Sequence, residues 1–272
     1  MITRTADAVV VGAGPNGLVA AIALADAGWD VVLVEAADRV GGAVATAEVT
    51  APGYRTDLFS AFYPLAAASP VIRDLGLDAH GLRWRRAPAV LAHALDDGGA
   101  AVLEADAEAT ATALDVARPG DGAAWLDLVD GWRRVSDDVL AALFTPFPPV
   151  ASLARLLRRA GARGALDLAR LAVLPVRRLG TEHFRGDGAA LLLTGNAMHA
   201  DIPPDAAGSG LLGWLLTMLG QDVGYPTPEG GAGRLADALL ARFRAAGGQV
   251  LTGTTVTAVA VAGGRAVGVL TA

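Results

Sequence analysis

The N-terminal segment alternates between short apolar runs and a glycine-rich turn. The valine-rich run Ala8–Val11 is typical of a buried strand, and a second such run follows at Val31–Val34. Between them, apolar residues recur at helical spacing, at Leu18, Ala21, Ile22 and Ala25, and Gly28 predicts the end of that helix. The pattern predicts a strand–turn–helix–strand unit with two parallel strands and a right-handed crossover.

A similar pattern returns near the C-terminal end of the chain. Apolar spacing at Leu235, Leu239 and Phe243 predicts a helix that stops at Gly247, and a short strand is predicted at Gln249–Leu251. Two further strands, Val256–Val261 and Ala266–Leu270, flank the pair Gly263-Gly264, which predicts a two-residue hairpin. We expect Gln249–Leu251 to pair beside Val31–Val34, which leaves one edge of Ala8–Val11 without a neighbour.

The middle of the chain has a different pattern, in which helical spacing dominates. One predicted helix carries a single apolar face, formed by Trp125, Leu128, Trp132, Val135 and Val139. We therefore expect an α/β fold: a Rossmann-like domain with an incomplete parallel sheet, interrupted by an inserted, mostly helical domain. The expected bounds are 1–74 and 225–272 for the first domain and 75–224 for the insertion.

Composition narrows the classes of function. Hydrophobic residues make up 53% and charged residues 18% of the 272 residues, which excludes a disordered chain. The net charge of -6 argues against a nucleic-acid partner. Cysteine and lysine are absent, and the four histidines lack the spacing of metal ligands, so we expect no metal site. No residue stands out as a catalytic acid or base, and the catalytic residues stay unknown.

The sequence contains no apolar run of membrane-spanning length. The longest apolar stretch lies near Leu211–Leu219, and a membrane span needs about 20 apolar residues. The apolar run after Asp7 is too short for a signal segment. We expect a cytoplasmic protein.

The turn Gly12–Gly17 has the spacing of a dinucleotide-binding loop. Gly12 permits a tight turn, Gly14 lets a pyrophosphate approach the backbone, and Gly17 lets the helix pack against the strand. Pro15 and Asn16 open the helix, whose N-terminal N–H groups favour phosphate. Glu35 ends the second strand, where a carboxylate accepts ribose hydroxyls and disfavours a 2′-phosphate.

A second glycine motif follows directly. Gly41 and Gly42 allow another close approach of the backbone to a ligand, and Arg39 carries a charge that suits a phosphate. Taken alone, these residues also fit a plain turn with a surface arginine. Beside the first motif, a cofactor site is the better interpretation.

Together, the two motifs resemble the start of the glutathione-reductase-like flavoproteins. Within these, the chain is similar to the bacterial phytoene desaturases and to the group of pyridine nucleotide-disulphide oxidoreductase domain-containing protein 2. The resemblance implies FAD as the cofactor, with Gly41 and Gly42 along its pyrophosphate and ribityl chain. It also implies an oxidoreductase of the dehydrogenase or desaturase type that acts on an apolar, lipid-like substrate.

The resemblance extends to the later segment. The stretch from Tyr225 to Leu239 is similar to a family segment with two adjacent glycines, here Gly230 and Gly231. By the same resemblance, Val256 meets the adenine through its backbone, and Asp57 stands where the family often has an acid near the flavin. A turn-capping role for Asp57 stays an open alternative. Relatives of this kind are longer, and their additional strands would cover the open edge of Ala8–Val11.

Several alternatives stay open. A flavin amine oxidase is disfavoured because Ala43 stands where those enzymes usually have arginine after the double glycine. A non-catalytic flavin-binding protein, or one subunit of a split flavoenzyme completed by a C-terminal polypeptide or by self-association, remains possible. The basic, amphipathic stretch between Leu153 and Leu171 fits a solvated helix face better than contact with an anionic membrane surface.

Overall fold

A computed structural model describes residues 5–96 and 98–272. Residues 1–4 and 97 lie outside the described residues. The strands are β1 (Ala8–Val11), β2 (Val31–Val34), β3 (Thr46–Ala47), β4 (Thr56–Asp57), β5 (Trp84–Arg85), β6 (Ala89–Ala94), β7 (Ala100–Glu104), β8 (Thr227–Pro228), β9 (Gln249–Leu251), β10 (Val256–Ala262) and β11 (Arg265–Thr271). The α-helices are α1 (Pro15–Asp26), α2 (Pro64–Ala68), α3 (Pro70–Asp74), α4 (Ala107–Ala117), α5 (Asp121–Leu143), α6 (Val150–Val173), α7 (Val176–His183), α8 (Asp187–His199), α9 (Ser209–Val223) and α10 (Gly233–Ala245).

The chain divides into two compact units. The first, here called the sheet unit, comprises Met1–Tyr63, Val71–Arg85 and Thr227–Ala272. The second, here called the helical unit, comprises Pro64–Pro70 and Arg86–Pro226. The boundary expected at residue 75 lies before the observed one, because Leu77 and Leu82 pack into the core of the sheet unit. The last segment of the sheet unit begins at Thr227, two residues after the expected position. A 3-10 turn at Leu77–His80 carries the first of these side chains.

A parallel sheet forms the centre of the sheet unit, and its strand order is β1-β2-β9. Ala8 pairs with Val31, and Val32 pairs with Gln249, as the apolar pattern predicts. All four residues of β2 are buried, whereas Val9 and Val11 on β1 are 37% and 54% exposed. Among the described residues, β1 has no partner strand on its other edge, which confirms the predicted order.

Two helices complete the core of this unit. The helices α1 and α10 bury Leu18, Ile22, Leu239 and Phe243 together with Leu33 of the sheet. A Cβ atom at Gly17 would lie 2.0 Å from the carbonyl oxygen of Gly12, so only glycine lets α1 pack this close to β1.

The C-terminal strands β10 and β11 form the predicted antiparallel hairpin. Gly263 and Gly264 at its turn have φ angles of 58° and 78°, the left-handed conformation that a type I′ turn requires at both positions.

The helical unit is built around buried tryptophans. Trp125, Trp132 and Trp214 lie in its core, and the rings of Trp132 and Trp214 meet edge to face at 5.4 Å. A β6–β7 hairpin, which the sequence pattern did not predict, contributes the fully buried Leu103. Both strands are rich in alanine, so they lack the β-branched signal that usually identifies a strand.

Two long helices, α5 and α6, pack against each other within this unit. The helix α6 is interrupted at Gly161, where φ is 68° and ψ is -179°. No helix in the described part of the chain is long and apolar enough to cross a membrane.

Candidate functional site

The Gly12–Gly17 turn joins β1 to α1 and presents its backbone. Gly12 has a φ of 94°, which favours glycine, and its N–H donates to the carbonyl of Val34 at 2.7 Å. Gly14 is the N-cap of α1, no side chain caps this end, and Pro15 begins the helix. A Cβ atom added at Gly14 would meet no atom within 4 Å. The turn therefore leaves open space in front of the N-terminus of α1, where N–H groups favour an anion.

The second glycine motif lies directly against this turn. The N–H of Gly41 donates to the carbonyl of Ala13 at 2.8 Å, and a Cβ atom at Gly42 would lie 3.4 Å from the Cα of Gly14. Gly41 has a φ of 112°, and a Cβ there would come within 2.5 Å of the Val44 carbonyl oxygen. The structure thus brings the two predicted motifs together, backbone against backbone.

The Glu35 carboxylate lies at the same place. One of its oxygens accepts a hydrogen bond from the N–H of Ala13 at 2.7 Å, and the other accepts from the N–H of Ala37 at 2.9 Å. Each carboxylate oxygen has a further lone pair, so hydroxyl donors can still bind. The bond to Ala13 gives Glu35 a second task, the positioning of the turn, which the sequence pattern alone did not reveal.

The segment between β9 and β10 follows the backbone of Glu35. The N–H of Thr254 donates to the Glu35 carbonyl at 2.9 Å, and the N–H of Gly253 donates to the Ala37 carbonyl at 2.9 Å. Val256 begins β10 two residues later and is half-buried. The structure therefore holds the chain just before Val256 beside Glu35, while the predicted contact of Val256 with adenine stays a prediction.

Arg39 occupies a different position. It lines a polar cavity of about 370 Å³ in the sheet unit, together with Arg55, Arg244 and Asp237. The lining of this cavity includes neither Glu35 nor any residue of the Gly12–Gly17 turn. A phosphate contact of Arg39 stays a prediction.

The start of α10 is capped by Thr46 and Asp57. The Asp57 carboxylate accepts from the N–H of Ala232 at 2.8 Å and from the Thr46 hydroxyl at 2.5 Å, and the N–H of Gly233 donates to that hydroxyl at 2.9 Å. The structure therefore shows Asp57 as a cap of the distant helix α10 and not of its own turn, and a place near the flavin stays a prediction. The sequence pattern did not reveal Thr46, because Gly233, whose N–H donates to its hydroxyl, lies 187 positions away along the chain.

These groups fit an anionic dinucleotide. The open space over Gly14, the uncapped N-terminus of α1 and the Glu35 carboxylate match a pyrophosphate and a ribose. In the described part of the chain, no group of three or more His, Asp or Glu could hold a metal ion. The arrangement can bind and orient a cofactor, and none of its described residues stands out as a catalytic acid or base.

Solved structures share this fold. An oxidoreductase from Methanosarcina mazei aligns with a TM-score of 0.54 and 16% identity, over 97% of this chain and 55% of that one. Putrescine oxidase bound to putrescine aligns with a TM-score of 0.53 and 20% identity, over 94% and 52%. A Rab GDI from Plasmodium falciparum aligns with a TM-score of 0.59 and 11% identity, over 98% and 62%. At these identities, the likeness shows the fold alone.

Two curated relatives are similar to this chain in sequence. The chain is 31% identical to a limonene dehydrogenase subunit of Castellaniella defragrans over 137 residues, which is 50% of this chain and 25% of that protein. It is 30% identical to mouse pyridine nucleotide-disulfide oxidoreductase domain-containing protein 2, over 97% of this chain and 50% of that protein. The chain thus spans at most about half the length of these relatives.

The family match begins inside the dinucleotide motif, after Gly12 and Gly14, and extends through both units. Residues 16–272 match the family described as flavin containing amine oxidoreductase. FAD is the cofactor of this family, as the two glycine motifs predict. The chain therefore belongs to the flavin-containing amine oxidoreductase family of FAD-dependent oxidoreductases.

Proposed function

We propose that this chain is the FAD-binding part of a dehydrogenase or desaturase that acts on an apolar, lipid-like substrate. The observation that carries the proposal is the contact of the double glycine with the Gly12–Gly17 turn, beside the Glu35 carboxylate. In this proposal the sheet unit is glutathione-reductase-like, the helical unit serves as the substrate domain, and the enzyme is phytoene dehydrogenase-like.

Each site residue has an assigned task. The backbone of Gly12 and Gly14 and the start of α1, at Pro15, Asn16 and Gly17, hold the pyrophosphate. The backbone of Gly41 and Gly42 follows the cofactor from the pyrophosphate towards the ribityl chain. Glu35 binds the ribose hydroxyls, Arg39 neutralises phosphate charge, and the backbone of Val256 meets the adenine.

The reaction proposed is removal of two hydrogens from the substrate. When bound, FAD would accept a hydride, which carries both electrons and one proton, and the second proton would leave the substrate to water. The protein's share is orientation and electrostatics, so the lack of an evident base is compatible with this chemistry. Support for an apolar substrate comes from the relative named as a limonene dehydrogenase.

A second candidate is oxidation of an amine. The family name and the fold of putrescine oxidase favour it. Ala43 disfavours it, because an arginine usually follows the double glycine in amine oxidases.

The proposal includes a partner. In the described part of the chain, no strand pairs with the outer edge of β1, and the side chains of Val9 and Val11 are exposed. An edge of this kind pairs readily with another strand. We assign this edge to a complementary polypeptide, or to another part of a longer chain, that extends the sheet and strengthens FAD binding. The limonene dehydrogenase relative, which is named as a subunit, supports the same assignment.

The test is a comparison of substrates under anaerobic conditions. The purified chain, with any co-expressed partner, is loaded with FAD and mixed with limonene or with putrescine. Bleaching of the flavin absorbance by limonene alone supports the proposal, and bleaching by putrescine alone supports the amine oxidase. Protein that releases no FAD on denaturation, and binds none when it is added, contradicts both.

A further inference from the structure

The helical unit contains a cavity of about 620 Å³, whose lining residues all belong to that unit. The helices α5, α6, α7 and α9 contribute to its wall. Its volume lies within the range of pockets that hold small ligands, about 300–1,000 Å³. None of the residues assigned above to FAD lines this cavity.

Small residues on facing helices create this space. Gly131 on α5 lines the cavity, as do Ala160 and Gly164 on α6. The break in α6 at Gly161 lies between the latter two. A Cβ atom at Gly131 would meet nothing closer than a guanidinium nitrogen of Arg134 at 3.8 Å, so this position is open towards the cavity.

Much of the wall is apolar. Trp214 and Val135 are 4% and 7% exposed, and they form part of the unit's core as well as the cavity wall. The further apolar lining residues are Leu128, Leu168, Leu171, Leu174 and Leu179. Such a wall fits a hydrocarbon chain, which gains free energy when it leaves water.

Guanidinium groups cluster on the rim. Arg134 of α5 and Arg159 and Arg163 of α6 line the cavity. Arg159 lies 3.2 Å from the carboxylate of Asp138, which also lies 3.8 Å from Arg155, so one carboxylate serves two guanidiniums. Within the described residues, Arg134 and Arg163 form no ion pair. The guanidinium donors of Arg134 and Arg163 are therefore available to bind an anion.

Two carboxylates, Asp127 and Asp167, also line the cavity, and Asp167 lies one helical turn from Arg163 on α6. Among the described residues, neither carboxylate forms an ion pair with an arginine. Arg155 and Arg159 of α6 form ion pairs with Asp138 of α5 and so hold the two helices side by side. The short connection 144–149 makes these helices antiparallel. Asp127 is then about 10 Å along α5 from Arg134, at a rise of 1.5 Å per residue. On α6, the same rise places Leu171 about 12 Å from Arg163, in the apolar wall.

We propose that this cavity binds a free anionic amphiphile, with its carboxylate on Arg134 and Arg163 and its hydrocarbon chain along the leucines and Trp214. A long-chain carboxylate has the charge and the apolar length that this arrangement requires. The proposal assigns no reaction and does not rest on the proposed redox function.

The experiment is calorimetric titration of the full chain with dodecanoate below its micelle concentration. We expect saturable binding of one molecule per chain. Arg163→Ala should weaken it by roughly tenfold to a hundredfold, because a charge-assisted hydrogen bond is lost. Arg158→Ala is the matched control on the same helix: Arg158 does not line the cavity, and its replacement should leave the affinity unchanged.

A second variant tests the apolar part. Gly131→Leu should abolish dodecanoate binding, because the leucine side chain fills the cavity. The midpoint temperature of its thermal unfolding should equal or exceed that of wild type, since leucine favours a helix more than glycine does. Dodecanol should bind wild type and Arg163→Ala equally, and acetate should bind neither.

Three results would overturn the proposal: no saturable heat with dodecanoate, an equal loss in Arg163→Ala and Arg158→Ala, or unchanged binding in a folded Gly131→Leu. Sedimentation of the chain with phosphatidylglycerol vesicles in the absence of dodecanoate binding would also overturn it, in favour of a membrane surface.

Discussion

The two units build their ligand-facing surfaces from different parts of the chain. In the sheet unit, backbone groups of Gly12, Gly14, Gly41 and Gly42 surround the open space, and Glu35 is the side chain that joins them. In the helical unit, the cavity is formed by side chains, with arginines at the rim and leucines along the wall. A surface made of backbone requires glycine at fixed spacings and tolerates few substitutions, whereas a surface made of side chains tolerates many sequences.

The first prediction tests the backbone surface at Gly14, the N-cap of α1. Gly14→Val should abolish FAD retention, because the branched side chain fills the space in front of the N-terminus of α1. The fold should survive, since Gly14 has a φ of -69° and a Cβ there meets nothing within 4 Å. Flavin released from purified protein measures the effect. Gly268→Val, at another open glycine on β11, is the control and should keep its flavin.

The second prediction tests a side chain of the helical unit. Asp121 is 2% exposed, and its carboxylate accepts from the N–H groups of Arg185 at 2.8 Å and Gly186 at 2.9 Å. Asp121→Ala leaves both donors without this partner, and we expect the free energy of unfolding to fall by roughly 2–5 kcal/mol. Urea denaturation measures it. Asp121→Asn keeps one acceptor oxygen and should lose less; an equal loss would contradict the role of these bonds.

The third prediction concerns Glu35, the side chain within the backbone surface. Glu35→Ala should weaken FAD binding by roughly tenfold to a hundredfold, because charge-assisted bonds to the ribose hydroxyls are lost. Fluorescence titration of the apo-protein measures the dissociation constant. Glu35 also holds the N–H of Ala13, so thermal unfolding of the apo-protein is measured in parallel. An unchanged dissociation constant would remove Glu35 from the site.

The smallest effect is expected at the surface of the helical unit. Hydrogen bonds from Arg170, which has the larger effect, and from Arg178 lower the pKa of Glu182 below its ordinary value. Because the folded-state pKa is the lower one, the contribution to stability is present above the unfolded pKa and is lost as the pH falls through the folded pKa. The urea midpoints of wild type and Glu182→Gln should therefore differ slightly at pH 7 and converge towards pH 2. A difference between the two urea midpoints that grows as the pH falls would contradict the stabilising effect of the Glu182 ion pairs.

The contrast between a surface made of backbone and one made of side chains also explains which features could be predicted from the sequence. The β1–α1–β2 unit, the pairing of β9 with β2 and the β10–β11 hairpin follow from apolar runs and glycine positions, and the structure confirms them. The β6–β7 hairpin was missed because its alanines carry little strand signal.

Other features depend on residues far apart in sequence. The cap that Thr46 and Asp57 place on α10 joins residues more than 170 positions apart. The cavity opposite Gly131 exists because α5 and α6 place small residues face to face. No local pattern encodes either arrangement, since both arise only when distant elements pack.

The central claim is that backbone N–H groups of the glycine motifs hold FAD, and amide hydrogen exchange tests it most directly. Exchange is measured on the full chain with and without FAD. The account predicts slower exchange in peptides that cover residues 12–18 and 41–44, and unchanged exchange in peptides that cover residues 127–135 and 159–174. Slower exchange confined to the second group, with none in the first, would contradict it.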